Sequence, residues 1–132
     1  LPVIKETRVF TDPAQPTVEL ELTFTVPPDI GLSTLGIERG THYAKLYLQG
    51  KDGGPPAPLP PIGNPPRVPI LSEGILTAVA YLELLDTPEN PEDRYDFLDW
   101  IALSVNMPNA FTEISEWMNE LMQKARHERK NS

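Results

Sequence analysis

Catalysis needs a nucleophile, a titrating base or a set of metal ligands, and this sequence is poor in all three. It has no cysteine, which excludes a thiol nucleophile and a zinc–thiolate site. Its two histidines, His42 and His127, are far apart, and no H-E-x-x-H pattern occurs. Gly31-Leu32-Ser33-Thr34-Leu35-Gly36 lacks the G-x-S-x-G spacing of a nucleophile elbow. Gly50-Lys51-Asp52-Gly53-Gly54 lacks the G-K-[ST] of a phosphate loop and reads as a turn. The densest cluster of titrating groups is Glu92, Asp93, Asp96 and Asp99. On a helix Glu92, Asp96 and Asp99 share one face, where carboxylates could hold a hard cation. The loop pattern of an EF-hand is absent, however, and the acids lie where a helix start and solvent favour them. No catalytic residue, metal or cofactor is expected. A small enzyme or metal-dependent binder built on Asp93, Asp96 and Asp99 ranks third among the readings.

Charge narrows the partners. The 132 residues carry a formal −8, unevenly spread. Residues 87–123 hold eight acids and one base, Arg94, whereas 124–132 hold Lys124, Arg126, Arg129 and Lys130 against Glu128. A net acid repels nucleic-acid phosphates, so direct nucleic-acid binding is not expected, the short basic tail apart. The longest apolar run, residues 75–85, is too short for a bilayer, which needs about 20 residues. A non-membrane protein is expected, cytoplasmic or within a virion or other assembly.

The elements that must position these groups read as one α+β domain over residues 1–132. A small antiparallel sheet of about three strands packs against two or three C-terminal helices, joined by a proline-rich extended segment. Residues 17–26 alternate cleanly, with Val18, Leu20, Leu22, Phe24 and Val26 on one face. Residues 3–10 make a weaker strand, and Asp12-Pro13-Ala14-Gln15-Pro16 supplies turn chemistry for a hairpin. Residues 42–49 read as a third strand, with Ala44, Leu46 and Leu48 inward. Residues 27–40 are too rich in glycine for a helix and read as a loop pinned by Ile30, Leu32, Leu35 and Ile37. The β-rich part thus covers 1–50.

Eight prolines between 55 and 69 make residues 51–71 a stiff connector of polyproline type, or an arm that lies on a neighbouring subunit. The helical part covers 72–127. The apolar run becomes a buried helix over 72–86, capped by Ser72 and interrupted only by Thr77 and Glu83. Asn90-Pro91-Glu92-Asp93 starts a second helix, reaching Val105. Its inner face is Tyr95, Leu98, Ile101, Ala102 and Val105, widened by Phe97 and Trp100. Asn109 caps a last helix over 110–127, and 128–132 form a frayed basic tail.

In the last helix Phe111, Ile114, Met118, Leu121 and Ala125 follow 3-4 spacing, flanked by Trp117 and Met122. Such a wide face is more than so small a domain is expected to hide. Phe111, Ile114, Trp117, Met118, Leu121 and Met122 are therefore the candidate partner-binding residues. The leading expectation is a non-catalytic interaction or assembly protein, an accessory or structural subunit of the kind found in viruses and phages. It would bind a protein partner, or itself, through the last helix and the proline-rich arm. The alternative is an acidic regulator that binds and inhibits a macromolecular machine of a host, such as a nucleic-acid enzyme.

Overall fold

The computed structural model describes residues 3–27 and 31–130. Strands β1 (Ile4–Asp12) and β2 (Gln15–Val26) form an antiparallel hairpin, with Ile4 opposite Val26 and Phe10 opposite Leu20. The alternation of β2 holds from Leu20 onward: Leu20, Leu22, Phe24 and Val26 are buried and their neighbours face solvent or the sheet's outer side, whereas Val18, expected on the inner face, is exposed. Among the described residues the sheet has two strands, not three. In place of a third, one residue pair, Phe24 with Asp86, extends it past β2.

The expected strand over 42–49 is instead helical. Helix α1 (Gly31–Ala44) runs into a wider π-type turn, Lys45–Gln49. This also replaces the loop expected before it. The helix forms despite its glycines because they let it lie close against α2 (Glu73–Leu85). A methyl group on Gly36 would fall 2.2 Å from the Tyr81 ring, and the Tyr81 hydroxyl donates to the Ser33 carbonyl. Packing thus offsets the cost of about 1 kcal/mol per helical glycine. Tyr43 and Tyr47, one turn apart, both lie on Phe97, with ring centroids 4.5 and 4.6 Å away. Of the expected loop anchors, Leu32 packs against the core, Leu35 and Ile37 are exposed, and Ile30 lies outside the described residues.

Gly50 ends this arm at φ 82°, ψ 140°, a conformation that side-chain-bearing residues avoid, and opens the proline segment. Part of that segment packs along its own chain. The Ala57 amide donates to the Leu46 carbonyl, Ile62 and Arg67 pair across a tight turn, and Leu59, Ile62 and Leu71 pack against the core. Its next apolar residues, Val68 and Ile70, point outward.

Helix α2 begins where expected. The Ser72 hydroxyl accepts from the Ile75 amide, and Asp86 follows the last turn. The next helix differs from expectation. Asn90 caps only a single turn, Pro91–Asp93, the chain then extends, and α3 (Phe97–Asn106) starts afresh at an Asp96/Asp99 capping box. Its buried face is Phe97, Trp100, Ile101 and Leu103, while Leu98 is exposed. Helix α4 (Pro108–Lys130) is longer at both ends than its spacing suggested, and residues 131 and 132 lie outside the described ones. No helix among the described residues is long and apolar enough to cross a membrane.

The core lies between the hairpin and the helices. Trp117 of α4 is its centre: Phe24 stacks on it with ring centroids 4.5 Å apart, and Phe10 tilts against it at 5.5 Å. The helical face proposed from sequence as a docking surface is therefore spent on the chain's own hairpin. Trp117 is 1 % exposed and Phe111 9 %. Ile114, Met118 and Leu121 are buried as well, and Met122 is partly buried against the core. The domain thus covers most of this face itself, because the two strands bury six apolar side chains, Ile4, Phe10, Leu20, Leu22, Phe24 and Val26, in the same core.

Candidate functional site

Two places in the fold gather polar side chains. The first is a groove of about 870 Å³ between the outer side of the hairpin, residues 88–95 and one side of α3. Its far wall exists because the chain leaves β2 at a fixed point. The Thr87 amide donates to the Thr23 carbonyl at 2.9 Å, and the Thr25 and Thr87 hydroxyls meet. The loop is then tied back twice: the Tyr95 amide donates to the buried Asp86 carboxylate at 2.9 Å, and the Arg94 guanidinium to the Glu83 carbonyl at 2.7 Å. Burial pushes the Asp86 carboxyl up, against the opposing pull of that amide and of Arg94.

The groove carries three of the four acids that the sequence made conspicuous, Asp96 being outside its lining, and two others. Glu89, Glu92, Asp93 and Asp99 come from the loop and α3, and Glu21 joins them from β2. Lys5 and Arg94 are its cations, and Arg94 is already committed to the Glu83 carbonyl. The carboxylates do not converge as a cation site would need. Asp96 and Asp99 each accept the other's backbone amide, at 2.8 and 3.0 Å, which uses them as helix caps. Among the described residues no group of three or more acids or histidines is placed to hold a metal. The groove therefore offers a spread-out negative surface, suited to a cationic partner and not to a point charge.

The second place is Glu83, the carboxylate that interrupts the apolar run of α2. Its side chain is 13 % exposed; Tyr43 donates its hydroxyl to it, and Arg39 lies 3.7 Å away. Burial raises the Glu83 carboxyl above its ordinary value, partly opposed by Tyr43 and Arg39. Burial, and then the bond to Glu83, also raises the Tyr43 phenol. Each polar group here has a partner on another element, so the cluster clamps α1 to α2. A carboxyl raised by folding stabilises the protein fully only below its ordinary value, and stability falls as pH climbs through the window up to the raised value. Glu83→Gln keeps an acceptor for Tyr43 and removes that titration. Its melting temperature is expected to change less than that of the wild type between mildly acidic and neutral pH. The residual slope comes from Asp86, which is shifted the same way.

No protein-family model, curated protein or solved structure matches this chain.

Sequence reasoning named Phe111, Ile114, Trp117, Met118, Leu121 and Met122 as a contact surface, and the fold gathers them in its interior. It gave Glu21, Glu83 and Arg94 no role in a site. The signal for Glu83 was present as a lone acid among eleven otherwise nearly apolar positions. No local signal pairs Glu21 with the acids near residue 90, because long-range contacts of Asp86 and Thr87 with β2 bring them together.

Proposed function

We propose that this chain is a non-catalytic interaction protein, an accessory or assembly subunit, and that its acidic groove takes a basic segment of a protein partner. One observation carries the reading: five carboxylates against two cations line the groove between the hairpin and residues 88–103. The site moves from α4, whose apolar face is used internally, to the surface between the hairpin and residues 88–103. The same excess of negative charge supports a narrower version, in which the protein occupies a basic channel of a nucleic-acid enzyme and inhibits it. An assembly in the cytoplasm or a virion is the setting we propose.

A lysine-rich peptide labelled with a fluorophore tests it. Binding is expected at low ionic strength and should fall steeply as salt screens the charges. Glu92→Lys combined with Asp93→Lys, both on exposed side chains, is expected to abolish binding while leaving the melting temperature near that of the wild type. Equal binding of a glutamate-rich peptide, or unchanged binding by the double variant, would sink the proposal.

A further inference from the structure

We infer that the free edge of β1 pairs antiparallel with the same edge of a second copy, centred on Thr7, to give a four-stranded sheet across a twofold axis. This stands on the hairpin's backbone, independently of the groove.

The direction of the backbone groups follows from one bond. The Thr87 amide reaches the Thr23 carbonyl from outside the hairpin, so the polar groups of Thr23 turn away from β1. Thr23 lies opposite Thr7, and their hydroxyls are 2.8 Å apart, as expected where two facing residues do not exchange backbone bonds and their side chains approach closely. Thr7 therefore also turns its amide and carbonyl outward, and by alternation so do Lys5 and Val9. No backbone partner meets these groups among the described residues. The edge is open: Lys5, Thr7, Arg8 and Val9 are exposed, Val9 to 50 %. The β2 edge, by contrast, is partly taken by Asp86 and Thr87. The register of β1 is regular from Ile4 to Phe10, the irregularity lying between Phe10 and Asp12.

Exposed edges are a liability that proteins blunt with repelling charge, proline or bulges. Residues 4–10 carry none of these in a form that works against their own copy. With Thr7 facing Thr7, Glu6 lies opposite Arg8 twice, Lys5 opposite Val9 twice and Ile4 opposite Phe10 twice. Opposite charges in facing positions stabilise a ladder, and like charges destabilise it. The two neighbouring registers fail this test. Centring on Glu6 sets two carboxylates face to face, and centring on Arg8 sets two guanidiniums face to face. The contacts that Glu6 and Arg8 make within the chain leave them usable. Lys124 reaches Glu6 at 3.5 Å with both side chains more than a third exposed, and Arg8 lies over the Trp117 ring at 5.3 Å. Pairing of one edge with itself is isologous and closes as a dimer, so it does not propagate into a fibre.

The test is molar mass by light scattering across a concentration series. The wild type is expected to approach twice the chain mass as concentration rises. Arg8→Glu and Glu6→Arg should each shift to monomer, since each places like charges opposite one another. An equimolar mixture of the two variants should recover the doubled mass, because each now complements the other, and so should the variant carrying both substitutions. Recovery on mixing separates lost pairing from lost folding. A wild type that stays monomeric throughout, single variants that keep the wild-type mass, or a mixture that stays monomeric would each overturn the inference.

Discussion

Trp117→Ala is expected to destabilise the protein by about 3–5 kcal/mol, as for large aromatic truncations in cores. For a domain whose total stability is about 5–15 kcal/mol, that is a large share. The substitution removes the ring on which Phe24 stacks and against which Phe10 tilts, and it leaves a cavity where hairpin and α4 meet. It also takes away the surface under the Arg8 guanidinium. The indole nitrogen has no hydrogen-bond partner among the described residues, so no hydrogen bond is lost with the ring. Trp117→Phe should accordingly cost much less. Chemical denaturation of the two variants checks this. A Trp117→Ala protein with wild-type stability that merely lost a binding partner would return α4 to the role of a docking surface.

The second large effect is expected at Asp12, which does a helix-capping job from the other end of the chain. Its carboxylate is 1 % exposed and accepts from the Ala110 amide in the first turn of α4 and from the Ala14 amide in the hairpin turn, both at 2.8 Å. These bonds, that of Ala110 foremost, hold the Asp12 carboxyl below its ordinary value despite burial. A carboxyl lowered by folding contributes stability that is complete above the ordinary value and lost as pH falls through the lowered one. Asp12→Ala should thus melt several degrees below the wild type at neutral pH, and the gap should narrow in acid. Melting curves from neutral pH down to strongly acidic pH measure it. A constant gap would mean that Asp12 acts through its shape and not its charge.

What could be read in advance depended on whether the cause was local. The β2 alternation from Leu20 onward, the Ser72 cap and the 3-4 spacing of α4 are statements about residues close in sequence, and each is present in the fold. Helix α1 was not legible, because Gly36 and Gly40 oppose a helix locally and are favoured only by the Tyr81 ring and by α2 beside them. Tyr43 and Tyr47 alternate with Ala44, Leu46 and Leu48 in a strand-like way, yet their real partner is Phe97, fifty or more residues on. The break between Asp93 and Phe97 was hidden for a similar reason: Asp86 draws the Tyr95 amide out of any helix. For the candidate site, the negative charge was plain in the composition, but its assembly into a groove depends on where residues 86 and 87 meet β2. The wide apolar face of α4 was correctly seen and its cover underestimated, because the weak alternation of β1 hid how much Ile4 and Phe10 contribute.

The hairpin's dependence on α4 also bears on synthesis. On the ribosome, β1 and β2 are finished long before residues 108–125 emerge, and until then the buried face of the hairpin lacks Trp117, the ring on which Phe24 and Phe10 pack. A stalled or truncated nascent chain ending before Trp117 would expose a greasy two-stranded ribbon, which is the kind of fragment that chaperones hold and that otherwise aggregates.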